Sequence, residues 1–160
     1  VIADNPSMNV RLDDFDDEHQ PKRIILDSNL QIAGSENILK LPGKKYIYTL
    51  KKEHNDPQIN SIIRTTKEVN GRVALLDVIK DLGLNEMNEV LIEAGSVLNG
   101  AFLKENLIDE IVLYLAPCFL GNKAKDMFDL PILDEMSEKH DFKINNVSQI
   151  GSDIKVVLRK

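Results

Sequence analysis

Apolar positions fall into short runs separated by polar, glycine- or proline-bearing stretches, and the spacing inside each run predicts an element. Lys22-Arg23-Ile24-Ile25-Leu26-Asp27 reads as a buried strand, and Lys45-Tyr46-Ile47-Tyr48-Thr49-Leu50 as a second, rich in aromatic and β-branched residues. Ser61 to Thr65 is a weaker strand. Val73, Leu75, Leu76, Val78, Ile79 and Leu82 then form a helical stripe that ends at Gly83. In Val90-Leu91-Ile92-Glu93-Ala94-Gly95-Ser96-Val97-Leu98-Asn99-Gly100-Ala101-Phe102 the apolar run breaks at glycine and resumes at helical spacing, which predicts a strand leading into a helix. Leu98, Ala101 and Phe102 share one face of that helix. Asp109 to Ala116 is another buried strand, closed by Pro117. Phe142 to Ile150 and Asp153 to Leu158 form a hairpin around Gly151-Ser152. Strands with interspersed helices and a terminal hairpin predict a mixed α/β sheet, mostly parallel, flanked by helices and with an antiparallel C-terminal edge.

The connecting stretches are polar. Asp4-Asn5-Pro6-Ser7 is a loop in which Pro6 drives Asn5 out of the helical region, and Asn9 to Leu12 form a short extended piece. The run Asp13-Asp14-Phe15-Asp16-Asp17-Glu18 is a solvated surface loop lacking calcium-loop spacing. Glu53 to Pro57 is a polar loop, and Gly121 to Glu138 is irregular.

Composition narrows the function classes. The 160 residues suit one domain with a real core, and 42% hydrophobic and 29% charged residues are those of an ordinary globular protein. A formal charge of −6 with scattered basic residues argues against nucleic acid, and no apolar run is long enough for a membrane span. Cys118 is the only cysteine and reads as a core residue, so the expected compartment is the cytoplasm. His19, His54 and His140 lie far apart in polar contexts without metal-ligand spacing, and surface positions are expected. Pro117-Cys118 lacks the second cysteine and the H-x-E of the zinc deaminases, and no G-x-S-x-G elbow occurs. No metal site is expected.

What remains is a pocket built from strand ends and a glycine-bearing helix start. The first N–H groups of a helix have no intrahelical partner and carry partial positive charge, a favourable seat for phosphates. Glu93 just before it stands where open α/β sheets place ligands. The alternative is that Gly95 only permits a tight turn and Glu93 is a solvated strand end.

Wording adds to this pattern. Val1-Ile2-Ala3-Asp4-Asn5-Pro6-Ser7-Met8-Asn9-Val10-Arg11 resembles the T-V-x-A-D-[DN]-P-x-L-x-V-R signature of the reductase half of the bifunctional riboflavin-biosynthesis deaminase/reductase family, RibD. Pro21 to Ser28 resembles its P-x-R-[IV]-[IV]-[LI]-D-S strand, and the Glu93 turn its V-E-[GA]-G-x-x-L-x-G-[AS]-[FL] turn. Leu107-Ile108-Asp109-Glu110, Tyr114-Leu115-Ala116-Pro117 and Leu120-Gly121 match L-[VI]-D-E…Y-[IL]-A-P…L-G. The four motifs occur in the family's order and cover the whole chain.

The resemblance implies a dihydrofolate-reductase-like α/β fold, NADPH as cofactor, and reduction of a phosphoribosylaminopyrimidine substrate to a ribityl product. Carried over by position, Asp4 and Ser28 match cofactor contacts, and Gly95, Ser96, Val97, Leu98, Asn99, Gly100 and Ala101 match the cofactor loop. Met8, Arg11 and Glu93 match substrate positions, Arg11 as a forked partner for the ribose phosphate. Each has a plainer alternative: Asp4 and Ser28 capping their own backbone, Met8 as packing, Arg11 as an exposed charge, and Ser96 and Asn99 as helix caps. In the family a K-x-[AS]-x-S-x-D-G strand, a G-x-x-T strand and a zinc deaminase domain stand upstream, so the expectation is a single reductase domain lacking its first strands, in a homodimer. The alternatives are a non-catalytic nucleotide-binding or dimerisation fragment, and a reductase for the diamino-pyrimidinone ribosylamino phosphate.

Overall fold

The computed structural model describes residues 1–52 and 61–160. The expected loop Glu53 to Pro57, with His54, lies outside the described residues. Two compact units result, Val1–Asn88 and Glu89–Lys160.

The first unit is built on a parallel sheet. Strand β1 (Arg23–Leu26) pairs with β2 (Lys45–Thr49), and β2 with β3 (Ile62–Thr65), in the order β1-β2-β3. The register sets Ile25 beside Ile47 and Ile47 beside Ile63. Because side chains alternate across a strand, Ile25 and Ile47 face one side, where Ile32 and the buried Ile38 and Leu39 of the short helix α1 (Asn37–Lys40) complete a core cluster. Tyr46 and Tyr48 face the other side. There they pack with Val73 and with Val78 and Leu82 of α2 (Leu75–Leu84). Burial on both faces is why β2 reads as a continuous apolar and aromatic run.

Two features of this unit depart from expectation. Asn70 and Gly71, at φ +52° and +75°, close a hairpin of β4 (Glu68–Val69) and β5 (Arg72–Val73). Asn-Gly suits such a turn, because both central residues need positive φ. Helix α2 also runs through Gly83 rather than stopping there. Its end is made by Glu86 at φ +60°, with Glu86 N–H donating to Gly83 O and Met87 N–H to Leu82 O, both at 3.0 Å. This is the paired-bond helix end usually served by glycine.

The second unit holds helix α3 (Ser96–Lys104) and an antiparallel sheet of β6 (Glu110–Leu115), β7 (Lys143–Ile150) and β8 (Asp153–Arg159), in the order β6-β8-β7. Gly151 at φ +61° turns the expected hairpin. Strand β6 pairs antiparallel with β8, so among the described residues parallel pairing is confined to the first sheet. As an edge strand paired on one side only, β6 is half exposed rather than buried. Cys118 is exposed as well, since the chain leaves the sheet there and Phe119 and Leu120 also stand in solvent. Val90 to Glu93 forms no strand, because an apolar run becomes one only when a neighbour supplies ladder partners. Leu91 is 76% exposed. No helix among the described residues is long and apolar enough to cross a membrane.

Candidate functional site

The candidate residues fall into one group in each unit. In the first unit, Ser28 stands just past the carboxyl end of β1, the edge at which α/β sheets bind ligands. Its hydroxyl accepts from Val73 N–H (3.1 Å), and its carbonyl accepts from Leu50 N–H (3.1 Å) and the buried Thr49 hydroxyl (3.2 Å). Ser28 thus ties β1, β2 and β5 together at this edge. Asp27 beside it accepts from Ile32 N–H at 2.9 Å and so fixes the departing loop.

Asp4, Met8 and Arg11 lie on the N-terminal loop. Asp4 and Arg11 are exposed, while Met8 is partly buried against the Ile25–Ile47 cluster. The loop is bent by Asn5 and Met8, both in the left-handed region at φ +41° and +48°. Non-glycine residues hold that conformation only when their surroundings impose it. Here the constraint comes from side chains across the loop. Asn37 N–H donates to Asn5 Oδ1 at 2.8 Å, and the Arg23 guanidinium donates to Ser7 O at 3.4 Å. The expected extended piece at Asn9 to Leu12 forms no strand, and the Gln20 side chain takes both backbone groups of Val10 instead.

Arg23 is 3% exposed and has no carboxylate among its hydrogen-bond partners in the described residues. Besides Ser7, it donates to the carbonyls of Leu41 and Pro42. Burial lowers its pKa, and burial together with the nearby Arg23 charge lowers that of Lys45. On the opposite face of the sheet the Tyr48 hydroxyl donates to Asp81 at 2.6 Å, with Arg64 Nε 3.6 Å from the same carboxylate oxygen. Burial, reinforced by that hydrogen bond, pushes the Tyr48 phenol well above its ordinary range. A cavity of about 330 Å³ lies here, lined by Tyr48, Arg64, Thr66, Asp77 and Asp81 among others.

In the second unit, Glu93 is exposed on the segment that approaches α3, and Gly95 is the N-cap residue. Gly95 O accepts from the N–H groups of Leu98 and Asn99, both at 3.1 Å. The N–H groups of Ser96 and Val97 have no acceptor within the helix. No side chain caps this end, and no acidic residue stands in the first turn. Gly95 has φ −80° and ψ 171°, a conformation open to any residue, and a Cβ there would meet nothing within 4 Å. The tight-turn explanation for this glycine is therefore removed.

Gly100 is different. It is buried, and a Cβ would run into the Asp129 backbone. Asp129 N–H donates to Ser96 O at 3.0 Å, and the Asn99 amide donates to Ala94 O and Met127 O, both at 3.2 Å. Asn99 thus fastens the approach segment and the irregular 127–129 segment to α3, and Gly100 lets that segment lie against the helix. Phe102 and Leu103 are buried on α3, with Leu98 and Ala101 half-buried. The residues given no role from sequence are Gln20, Arg23 and Asn37; Gln20 and Asn37 carry no periodic signal, whereas Arg23 is the arginine of the P-x-R strand motif.

Comparison with known proteins adds the family context. The family model described as RibD C-terminal domain matches residues 1–156. The 5-amino-6-(5-phosphoribosylamino)uracil reductase of Buchnera aphidicola subsp. Acyrthosiphon pisum is 34% identical, the match covering 99% of this chain and 81% of that protein. The riboflavin biosynthesis protein RibD of Escherichia coli is 28% identical, over 96% of this chain and 45% of that protein. Among solved structures, Acinetobacter baumannii RibD superposes with a TM-score of 0.81 at 32% identity, covering 99% of this chain and 44% of that one. The chain spans about half the length of the RibD proteins it matches. The fold is the dihydrofolate-reductase-like α/β fold of these reductase domains.

Proposed function

Because the chain belongs to the RibD C-terminal domain family, we propose that it carries the reductase step of riboflavin biosynthesis, the NADPH-dependent reduction of 5-amino-6-(5-phosphoribosylamino)uracil to its ribitylamino product. The observation that carries this reading is the start of α3. It offers N–H groups without intrahelical partners, has no competing carboxylate in the first turn, and uses a glycine that neither the backbone nor any described neighbour requires. A glycine of that kind serves close approach by something else, and a diphosphate suits the helix end.

In the second unit the free N–H groups of Ser96 and Val97 beside Gly95 receive the cofactor diphosphate, while Leu98 to Ala101 build and anchor that helix start; in the first unit Asp4 and Ser28 are the proposed cofactor contacts. When bound, NADPH supplies a hydride to C1 of the ribose in its open-chain imine form. The protein's share is binding and orientation. The exposed guanidinium of Arg11 offers a planar fork to the ribose phosphate, which gives a cation a purpose at this point of an acidic chain. Glu93 accepts hydrogen bonds from N–H or O–H donors of the pyrimidine nucleotide, and the Met8 side chain gives it an apolar contact. In the intact protein a zinc deaminase domain adjoins this reductase, and the assembly is a cytoplasmic homodimer.

The test is direct. The intact protein, given the aminouracil phosphoribosyl compound and NADPH, consumes the two in equal amounts and yields a product heavier by two hydrogens. Oxidation of NADPH without that mass gain, or none at all, overturns the assignment.

A further inference from the structure

Gln20 and Arg23 are buried polar residues that belong to neither the core nor the proposed binding groups. Gln20 is 8% exposed and Arg23 is 3% exposed. Each reaches the backbone of the loop that carries Met8 and Arg11, though Arg23 also donates to two carbonyls elsewhere and Gln20 to the Asp17 carboxylate at 3.5 Å. The Gln20 amide accepts from Val10 N–H at 2.9 Å and donates to Val10 O at 3.1 Å, as a strand partner would. At the other end, Arg23 holds Ser7 O while its second terminal nitrogen is anchored on the carbonyls of Leu41 and Pro42. The clamped residues, Ser7 and Val10, immediately precede Met8 and Arg11.

A neutral amide, and a guanidinium with no carboxylate partner among the described residues, are costly to bury, and a hydrophobic pair would serve packing better. Their geometry suits another task. The loop has no ladder of its own, and Met8 sits at φ +48°, so its shape must be imposed from outside. We infer that Gln20 and Arg23 are positioning residues for the substrate side of the site, locking Ser7 to Val10 so that Met8 and Arg11 meet the phosphoribosyl pyrimidine in a fixed arrangement. This rests on the substrate roles proposed above for Met8 and Arg11. Neither Gln20 nor Arg23 touches the substrate.

The experiment measures steady-state kinetics of the intact protein with the aminouracil phosphoribosyl compound and NADPH varied separately. Gln20→Met keeps the side chain's length and removes both bonds to Val10. It raises KM for the pyrimidine roughly tenfold, the worth of about one net hydrogen bond, and leaves KM for NADPH within about twofold. Arg23→Lys keeps the charge but loses the fork, and produces the same one-sided rise on a smaller scale. A merely structural role lowers the active fraction, and so kcat, with neither KM displaced. An unchanged pyrimidine KM in both variants, or equal rises in both KM values, overturns the inference. Arg11→Ala separates it from the reading beneath it. An unchanged pyrimidine KM in Arg11→Ala removes the substrate role itself, whereas a raised value there beside unchanged values in Gln20→Met and Arg23→Lys removes only the clamp.

Discussion

Replacing Gly100 by alanine sets two local effects against each other, and the structure decides the sign. Alanine inside a helix is favoured over glycine by about 1 kcal/mol, so propensity alone makes Gly100→Ala stabilising. The neighbourhood reverses this. The new Cβ would fall within the van der Waals envelope of Asp129 O, 2.9 Å from the Asp129 carbonyl carbon and 3.0 Å from its nitrogen. These are backbone atoms and cannot rotate away. The irregular 127–129 segment can retreat only by straining the Asp129 N–H bond to Ser96 O and the Asn99 bond to Met127 O. Overpacking of this kind costs about 1–3 kcal/mol, and losing one of those bonds adds about 1 kcal/mol. After the propensity gain the net cost is about 2 kcal/mol. Equilibrium urea unfolding of wild type and Gly100→Ala, with Gly95→Ala as control, measures it. The control stays within about 0.5 kcal/mol of wild type, because a Cβ at Gly95 meets open space. A Gly100→Ala protein as stable as wild type, or more so, refutes the close-approach reasoning.

Further outcomes follow from the first unit. The Tyr48 phenol has a raised pKa in the fold, so its protonated form contributes stability that is intact below the unfolded value of about 10 and is lost as pH rises from there through the folded value. Unfolding free energy therefore falls above about pH 10 by up to about 1.4 kcal/mol per pH unit on account of this group. Tyr48→Phe removes that component of the slope and, at neutral pH, costs about 1–2 kcal/mol for the lost bond to Asp81, as denaturant titrations across pH check. Glu86→Gly places the preferred residue at the left-handed end of α2 and raises the thermal midpoint, by about 0.5–1 kcal/mol of stability.

The elements legible in the sequence were those whose own residues carry the signal. Strands β1 and β2 announced themselves through apolar and β-branched runs, β2 buried on both faces and β1 on one, the β7–β8 hairpin through Gly151, and α3 through apolar spacing after Gly95. Elements that depend on partners were hidden. Val90 to Glu93 has strand-like residues but no ladder, and β4 and β5 are too short for alternation to register, although Asn70-Gly71 between them is a strong turn signal. The end of α2 was misplaced because Glu86, with no glycine to mark it, takes the left-handed conformation one step beyond Asn85.

The candidate site divides in the same way. The uncapped N–H groups at the α3 start follow from local geometry, and the motif at Gly95 to Ala101 could be read in sequence. Asn99 proves to be a fastening for its own loop, with its amide donating to Ala94 and Met127. The clamp on the N-terminal loop was invisible. Gln20 adjoins a polar acidic run and Arg23 begins an apolar strand, and only the fold brings them under Val10 and Ser7.

Whether the open start of α3 receives the cofactor is decided by NADPH titration of the intact protein, wild type against Gly95→Asp. A carboxylate at the N-cap favours the helix itself and has open space to occupy, so the thermal midpoint stays level or rises slightly. The same carboxylate repels a diphosphate at the N–H groups of Ser96 and Val97. NADPH affinity is expected to weaken at least roughly tenfold with the fold intact. Equal affinity in the two proteins would contradict that role of the α3 start.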